Sequence, residues 1–124
     1  MKTCLVVDDS EVVRKVAQRI FENLNFETSE AGSGQEALDY CLKAMPDAIL
    51  YDAHMPPMAS VEFLTTVRSM PNGSKPVIIF CATDNDSGEI ARALTAGADE
   101  YVLKPFDTDT IKAKLAATDL LSAA

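Results

Sequence analysis

Cys4-Leu5-Val6-Val7-Asp8-Asp9 sets four apolar residues directly against two carboxylates. A near-continuous apolar run of this length marks a strand buried on both faces, and such strands belong to parallel sheets covered by helices. Two further stretches repeat the pattern: Ala48-Ile49-Leu50-Tyr51 stops at Asp52, and Val77-Ile78-Ile79-Phe80-Cys81 runs into Ala82-Thr83-Asp84. Weaker strands fit Phe26 to Ser29 and Glu100 to Leu103, the last leading into Lys104-Pro105.

Helical patterns fill the intervals. Val12, Val13, Val16, Ile20 and Leu24 recur at helical spacing, with Arg14, Lys15, Gln18, Arg19 and Glu22 on the remaining faces, the pattern of an amphipathic first helix. Ser33-Gly34-Gln35-Glu36 is a capping box that opens a second helix through Ala37, Leu38 and Cys41, and Pro46 stops it. A third helix is predicted from Ser60 to Met70, with Ser60 as a candidate N-cap and Pro71-Asn72-Gly73 as the turn that follows. The fourth covers Ile90 to Ala96 and ends at Gly97, and the fifth runs from Asp107 through Ile111 and Leu115 to the C-terminus. Five strand–helix units joined by short connections require crossovers, so the expected fold is α/β: a parallel sheet with helices on both faces.

Composition narrows the function. The 124 residues make about one domain's worth, so one domain over 1–124 is expected, with no linker, repeat or low-complexity segment inside it. Apolar residues at 48% and charged ones at 24% fit a folded globular chain. The formal charge of −8, without a Lys/Arg cluster, disfavours direct binding to nucleic acid or anionic lipid. The apolar run at the N-terminus is too short for a signal peptide and no stretch is long enough to span a membrane, which points to the cytoplasm. Cys4, Cys41 and Cys81 form no C-x-x-C pair and sit in apolar segments, so they read as small buried hydrophobes.

In open parallel sheets the binding crevice lies at the carboxyl ends of the strands. Asp8, Asp9, Asp52, Thr83, Asp84 and Lys104 all follow strands and therefore converge on that edge. Asp8, Asp9 and Asp52 placed within a few ångströms repel one another and call for a cation. Magnesium, a hard ion held by carboxylates, waters and substrate phosphate, suits an all-oxygen set, and Lys104 supplies a second positive charge. An aspartate nucleophile, a metal and a lysine are the parts that phosphoryl transfer to a carboxylate requires.

With these residues in place, the sequence resembles the response-regulator receiver family, in particular its CheY-like single-domain members, over essentially its whole length. The matching pieces are Val6-Val7-Asp8-Asp9-Ser10, Asp52 with Met55-Pro56, Gly97-Ala98-Asp99-Glu100-Tyr101, and Lys104-Pro105-Phe106. The resemblance implies a doubly wound, flavodoxin-like sheet with strand order 2-1-3-4-5 and five helices. It implies a two-component signalling switch rather than a conventional enzyme, one that promotes its own phosphorylation and dephosphorylation. Asp52 would accept the phosphoryl group from a histidine kinase or histidine phosphotransfer protein. Asp9, Asp52 and the main-chain carbonyl of His54 would bind Mg2+, Asp8 would act through water, Lys104 would contact the phosphoryl group, and the Lys104-Pro105 bond would be cis. The fourth helix, fifth strand and fifth helix, including the switch aromatic Tyr101, would form the output surface toward a protein partner.

Two departures from the family pattern stand out. Where the family carries a switch Ser or Thr at the end of the fourth strand, this reading places Ala82, with Thr83 as the candidate substitute hydroxyl if the strand end shifts by one residue. Ala59-Ser60 stands where the family shows glycine before the third helix. The alternative function that follows is a receiver-fold interaction module that works without phosphorylation. The side chain of His54 reads as an exposed loop residue near the phosphoryl site, and Met55, Met58 and Met70 read as adaptable packing. A flavodoxin-like FMN carrier is disfavoured by Asp8-Asp9 in the loop that would cradle phosphate, and a haloacid-dehalogenase-type phosphatase by His54 where its second aspartate would stand.

Overall fold

The computed structural model describes residues 1–118 and 120. Its elements alternate without exception: β1 (Lys2–Val7), α1 (Glu11–Asn23), β2 (Phe26–Ala31), α2 (Gly34–Lys43), β3 (Ala48–Asp52), α3 (Ser60–Ser69), β4 (Val77–Ala82), α4 (Ser87–Ala96), β5 (Glu100–Leu103) and α5 (Thr108–Ala117). The five strands pair in parallel in the order β2-β1-β3-β4-β5. Among the described residues no helix is long and apolar enough to cross a membrane.

The sheet divides the core in two, because successive side chains of a strand leave opposite faces. Leu5, Val7, Ile49, Tyr51, Ile78, Phe80 and Ala82 pack on one face with residues of α2, α3 and α4. Cys4, Val6, Ala48, Leu50, Ile79, Cys81 and Val102 pack on the other with residues of α1 and α5. All three cysteines are buried and free, as expected.

The first helix packs on a different stripe from the one its valines predict. Ala17, Ile20 and Phe21 are its buried residues, and Phe21 meets Phe26 edge-on at 5.4 Å between ring centroids. Val12 and Val16 remain 73% and 50% exposed. Val13, Ala17, Ile20 and Leu24 form an equally regular helical stripe rotated by one position, and the small Ala17 lets the helix approach the sheet closely. The second strand runs two residues further than its apolar content suggested, to Ala31, since an edge strand tolerates Thr28, Ser29 and Glu30. The fourth helix starts at Ser87, three residues early, because Asp86 caps it by accepting from the Glu89 N–H at 3.1 Å.

Other helix starts follow their sequence signals. Ser33 accepts from the Glu36 N–H at 3.1 Å, while the Glu36 carboxylate reaches back to the Gly32 N–H at 3.2 Å. Asp107 caps α5 through the Thr110 N–H at 2.8 Å. Ser60 is not a cap: it is the first residue of α3, the N-cap is Ala59 with no side-chain bond, and the Ser60 hydroxyl donates to the Ala53 carbonyl at 2.9 Å. The fifth helix ends at Ala117; its expected run to the C-terminus falls on 119 and 121–124, outside the described residues.

Gly97 closes α4 with φ +140°, where a Cβ would stand 2.7 Å from Cγ of Arg68. Arg68 fills that space. Its guanidinium donates to the carbonyls of Gly97, Gly73 and Pro76 and to Asp99, tying α3, the turn after it and the α4–β5 connection together.

Candidate functional site

The carboxyl edge of the sheet gathers Asp8, Asp9 and Asp52, with one carboxylate oxygen from each lying within 4.8 Å of the others. Asp8 and Asp52 are 3% and 5% exposed, whereas Asp9 faces solvent. Lys104 Nζ sits 2.8 Å from Oδ2 of Asp8 and 3.0 Å from Oδ1 of Asp52. Asp8 also accepts from the Ser10 N–H at 2.9 Å, and its carbonyl accepts from Arg14 at 2.8 Å. Asp8 is therefore in direct ion contact with Lys104.

Burial pushes the pKa of Asp52 above the usual carboxylate value; the hydrogen bond from Lys104 works against this, and the charges of Asp8 and Asp9 add to it. Burial opposes the charge of Lys104, but hydrogen bonds to Asp8 and Asp52 outweigh it and its pKa ends up raised. The result is a desolvated carboxylate held beside one ammonium.

Ala82 does not face this group. Asp8, Asp52 and Lys104 continue the alternation of Val6, Leu50 and Val102, which puts them on the α1/α5 side of the sheet, and Cys81 shares that side. Ala82 packs on the opposite side with Val7, Tyr51 and Phe80. Cys81 pairs with Asp52 in the β3–β4 register, and the charges of Lys104, Asp52 and Asp8 all act on its thiol. Burial pushes that thiol up to about 12, so it stays neutral. The residue at the strand-four end that faces Asp52 is thus Cys81, and the assignment of Ala82 as the switch position is corrected. A fully apolar run such as Val77–Ala82 carries no alternation from which the facing could be read.

Thr83 lies past the strand end, exposed, and lines an apolar groove with Val12, Val13, Val16, Lys104, Pro105 and Phe106. Tyr101 is half-buried on β5 with Lys114 Nζ 4.6 Å from its ring centroid. His54 follows Asp52 in the β3–α3 connection; its side chain is 62% exposed, with Nε2 3.7 Å from Glu89. The Lys104-Pro105 bond is cis, as expected, and so is Pro56-Pro57, which no sequence signal marked.

Known proteins agree with this geometry. Residues 4–116 match the response regulator receiver domain family. The transcriptional regulatory protein PrrA of Mycobacterium leprae is 37% identical over 113 residues, 91% of this chain and 48% of that protein. The chain thus spans about half the length of the curated relatives it matches. The chemotaxis response regulator CheY4 of Vibrio cholerae superposes with a TM-score of 0.87 at 29% identity, covering 94% of this chain and 98% of that one. The receiver domain of the sensor histidine kinase PA1611 of Pseudomonas aeruginosa, described with magnesium coordinated in its active-site cleft, shares the fold with a TM-score of 0.84 at 24% identity, covering 94% and 95% of the two chains. Because that family's model matches nearly the whole chain, residues 4–116, the chain belongs to the response regulator receiver domain family of two-component systems.

Proposed function

We propose that the chain works in the cytoplasm as a receiver, accepting a phosphoryl group on Asp52 in a magnesium-dependent reaction and signalling through protein–protein contact. The observation that carries this reading is Lys104 bridging Asp8 and Asp52 while Asp9 stays open to solvent. The donor is a histidine kinase or histidine phosphotransfer protein. A carboxylate oxygen of Asp52 attacks phosphorus, the P–O bond forms as the P–N bond of the phosphohistidine breaks, and the departing imidazole leaves with the bond's electron pair.

Each residue has a distinct part in that step. Lys104 offsets part of the cost of burying the Asp52 charge and then serves as the counter-charge for a phosphoryl oxygen. The all-oxygen donor set of Asp8, Asp9 and Asp52 fits magnesium rather than a softer ion. Asp9, Asp52 and the His54 carbonyl would hold it, with Asp8 acting through water. When bound, magnesium neutralises charge on the phosphoryl oxygens. The output face is formed by α4, β5 and α5 with Tyr101. A second reading, a receiver-fold interaction module that signals without phosphorylation, draws on Cys81, because a thiol is a weak donor where a hydroxyl would be a strong one.

Incubation with acetyl phosphate or phosphoramidate and magnesium, followed by intact mass, separates the two. The account predicts one phosphoryl adduct that a chelator abolishes. No adduct from these donors or from any candidate kinase would favour the second reading.

A further inference from the structure

Tyr51 stands one residue before Asp52 and leaves the sheet on the opposite face, 1% exposed and stacked on Phe63 with centroids 3.9 Å apart. Its hydroxyl is the one buried side-chain polar atom, among the described residues, with no hydrogen-bond partner. Burial pushes its pKa up to about 12. Leaving a buried hydroxyl unpaired is unfavourable, and the rarity of such groups in folded proteins gives each one weight.

Gly34 and Met58 meet beside the hydroxyl. A Cβ on Gly34, the first residue of α2, would stand 3.0 Å from it and 2.8 Å from Sδ of Met58. Met58 therefore packs against Gly34 beside the hydroxyl, from the connection that links Asp52 to α3. The connection is held at its ends, where the Ser60 hydroxyl donates to the Ala53 carbonyl at 2.9 Å, while Met58 itself is only half-buried. Methionine, unbranched and adaptable, packs such a gap without locking it.

We propose that Met58 is a removable cover on the Tyr51 hydroxyl. The Met58 side chain exchanges between the packed arrangement and one in which it leaves Gly34 and the hydroxyl reaches water, while Met55 and the bonded ends of the connection stay in place. The unpaired hydroxyl favours the second arrangement, so Tyr51 sets how readily Met58 swings away from Gly34. The exchange needs no phosphoryl group, and its test therefore stands apart from the proposed chemistry at Asp52.

The test is methyl relaxation dispersion on the full chain labelled at its methionine methyls, in wild type, Tyr51→Phe and Gly34→Ala. The wild type should show microsecond-to-millisecond exchange at Met58. In Tyr51→Phe, which keeps the ring and removes the unpaired group, the minor population should fall about tenfold. In Gly34→Ala, where the new methyl collides with Met58, the Met58 resonance should move toward the minor-state shift. Flat dispersion at Met58 in wild type, an unchanged population in Tyr51→Phe, or an unmoved Met58 resonance in Gly34→Ala would each overturn the proposal.

Discussion

Cys81 lies opposite Asp52 in the register of β3 and β4, and the two side chains leave the sheet on the same face. A neutral thiol thus stands at the β4 position that faces Asp52, where a hydroxyl would be a stronger donor to a phosphoryl oxygen. A ligand or covalent group shifts a conformational equilibrium only by its differential interaction with the two states. Cys81→Thr should therefore enlarge the amide NMR shifts that beryllofluoride and magnesium induce in α4, β5 and α5. A charge-assisted hydrogen bond contributes about 1.5 to 3 kcal/mol, enough to change the population ratio by about tenfold or more. Ala82→Thr, on the opposite face, should leave the response unchanged and lower stability.

Asp52→Asn should stabilise the fold. The carboxyl of Asp52 binds its proton more tightly folded than unfolded, above the ordinary value of 3.8. Below that value both states are protonated and the wild type loses nothing. As pH rises through the folded pKa the unfolded chain ionises first, so stability falls. The asparagine variant escapes this loss, and its melting midpoint should exceed wild type at neutral pH, with the gap closing as pH falls toward the unfolded value. A gap that widens on acidification would contradict the sign.

Lys104→Met removes the ammonium that bridges the carboxylates of Asp8 and Asp52, both buried. Breaking such a pair from one side should lower stability by about 2 to 4 kcal/mol in chelator, by urea titration. Magnesium should restore more stability in this variant than in wild type. Asp9→Ala, at an exposed position, should leave stability in chelator near wild type while weakening magnesium affinity in a titration followed by NMR.

Arg68→Ala should be strongly destabilising although it lies away from the carboxyl edge. The side chain satisfies carbonyls of Gly97, Gly73 and Pro76 and pairs with Asp99 at 2.9 Å, and removing it leaves these acceptors unpaired beside a gap next to Gly97. A loss of about 3 kcal/mol is expected, with Arg68→Lys recovering little, because an ammonium cannot reproduce the planar fork. Phosphoryl uptake by the folded fraction should stay at the wild-type rate.

The strand runs, the Ser33–Glu36 capping box and the acids at strand ends were legible because each is a local pattern with one physical cause. Val7-Asp8-Asp9 and Tyr51-Asp52 end buried runs with charge, and only the carboxyl edge of a parallel sheet accommodates that. What stayed hidden depended on facing. Val12 and Val16 fit a core stripe as well as Ala17 and Phe21 do, and the choice between them is made by the sheet beneath. Cys81 and Ala82 sit in an unbroken apolar run, so only the register against Asp52 decides which of them looks toward the site. Arg68 gave no signal at all, since its acceptors are backbone carbonyls that any sequence offers.

Phosphorylation of Asp52 is tested most directly by locating the label. After treatment with acetyl phosphate and magnesium, borohydride reduction converts an acyl phosphate at an aspartate to homoserine, which tandem mass spectrometry places in the chain. The account predicts homoserine at position 52 and nowhere else, lost when magnesium is chelated. Homoserine at another acid, or none at position 52 in a sample whose intact mass shows the adduct, would contradict it.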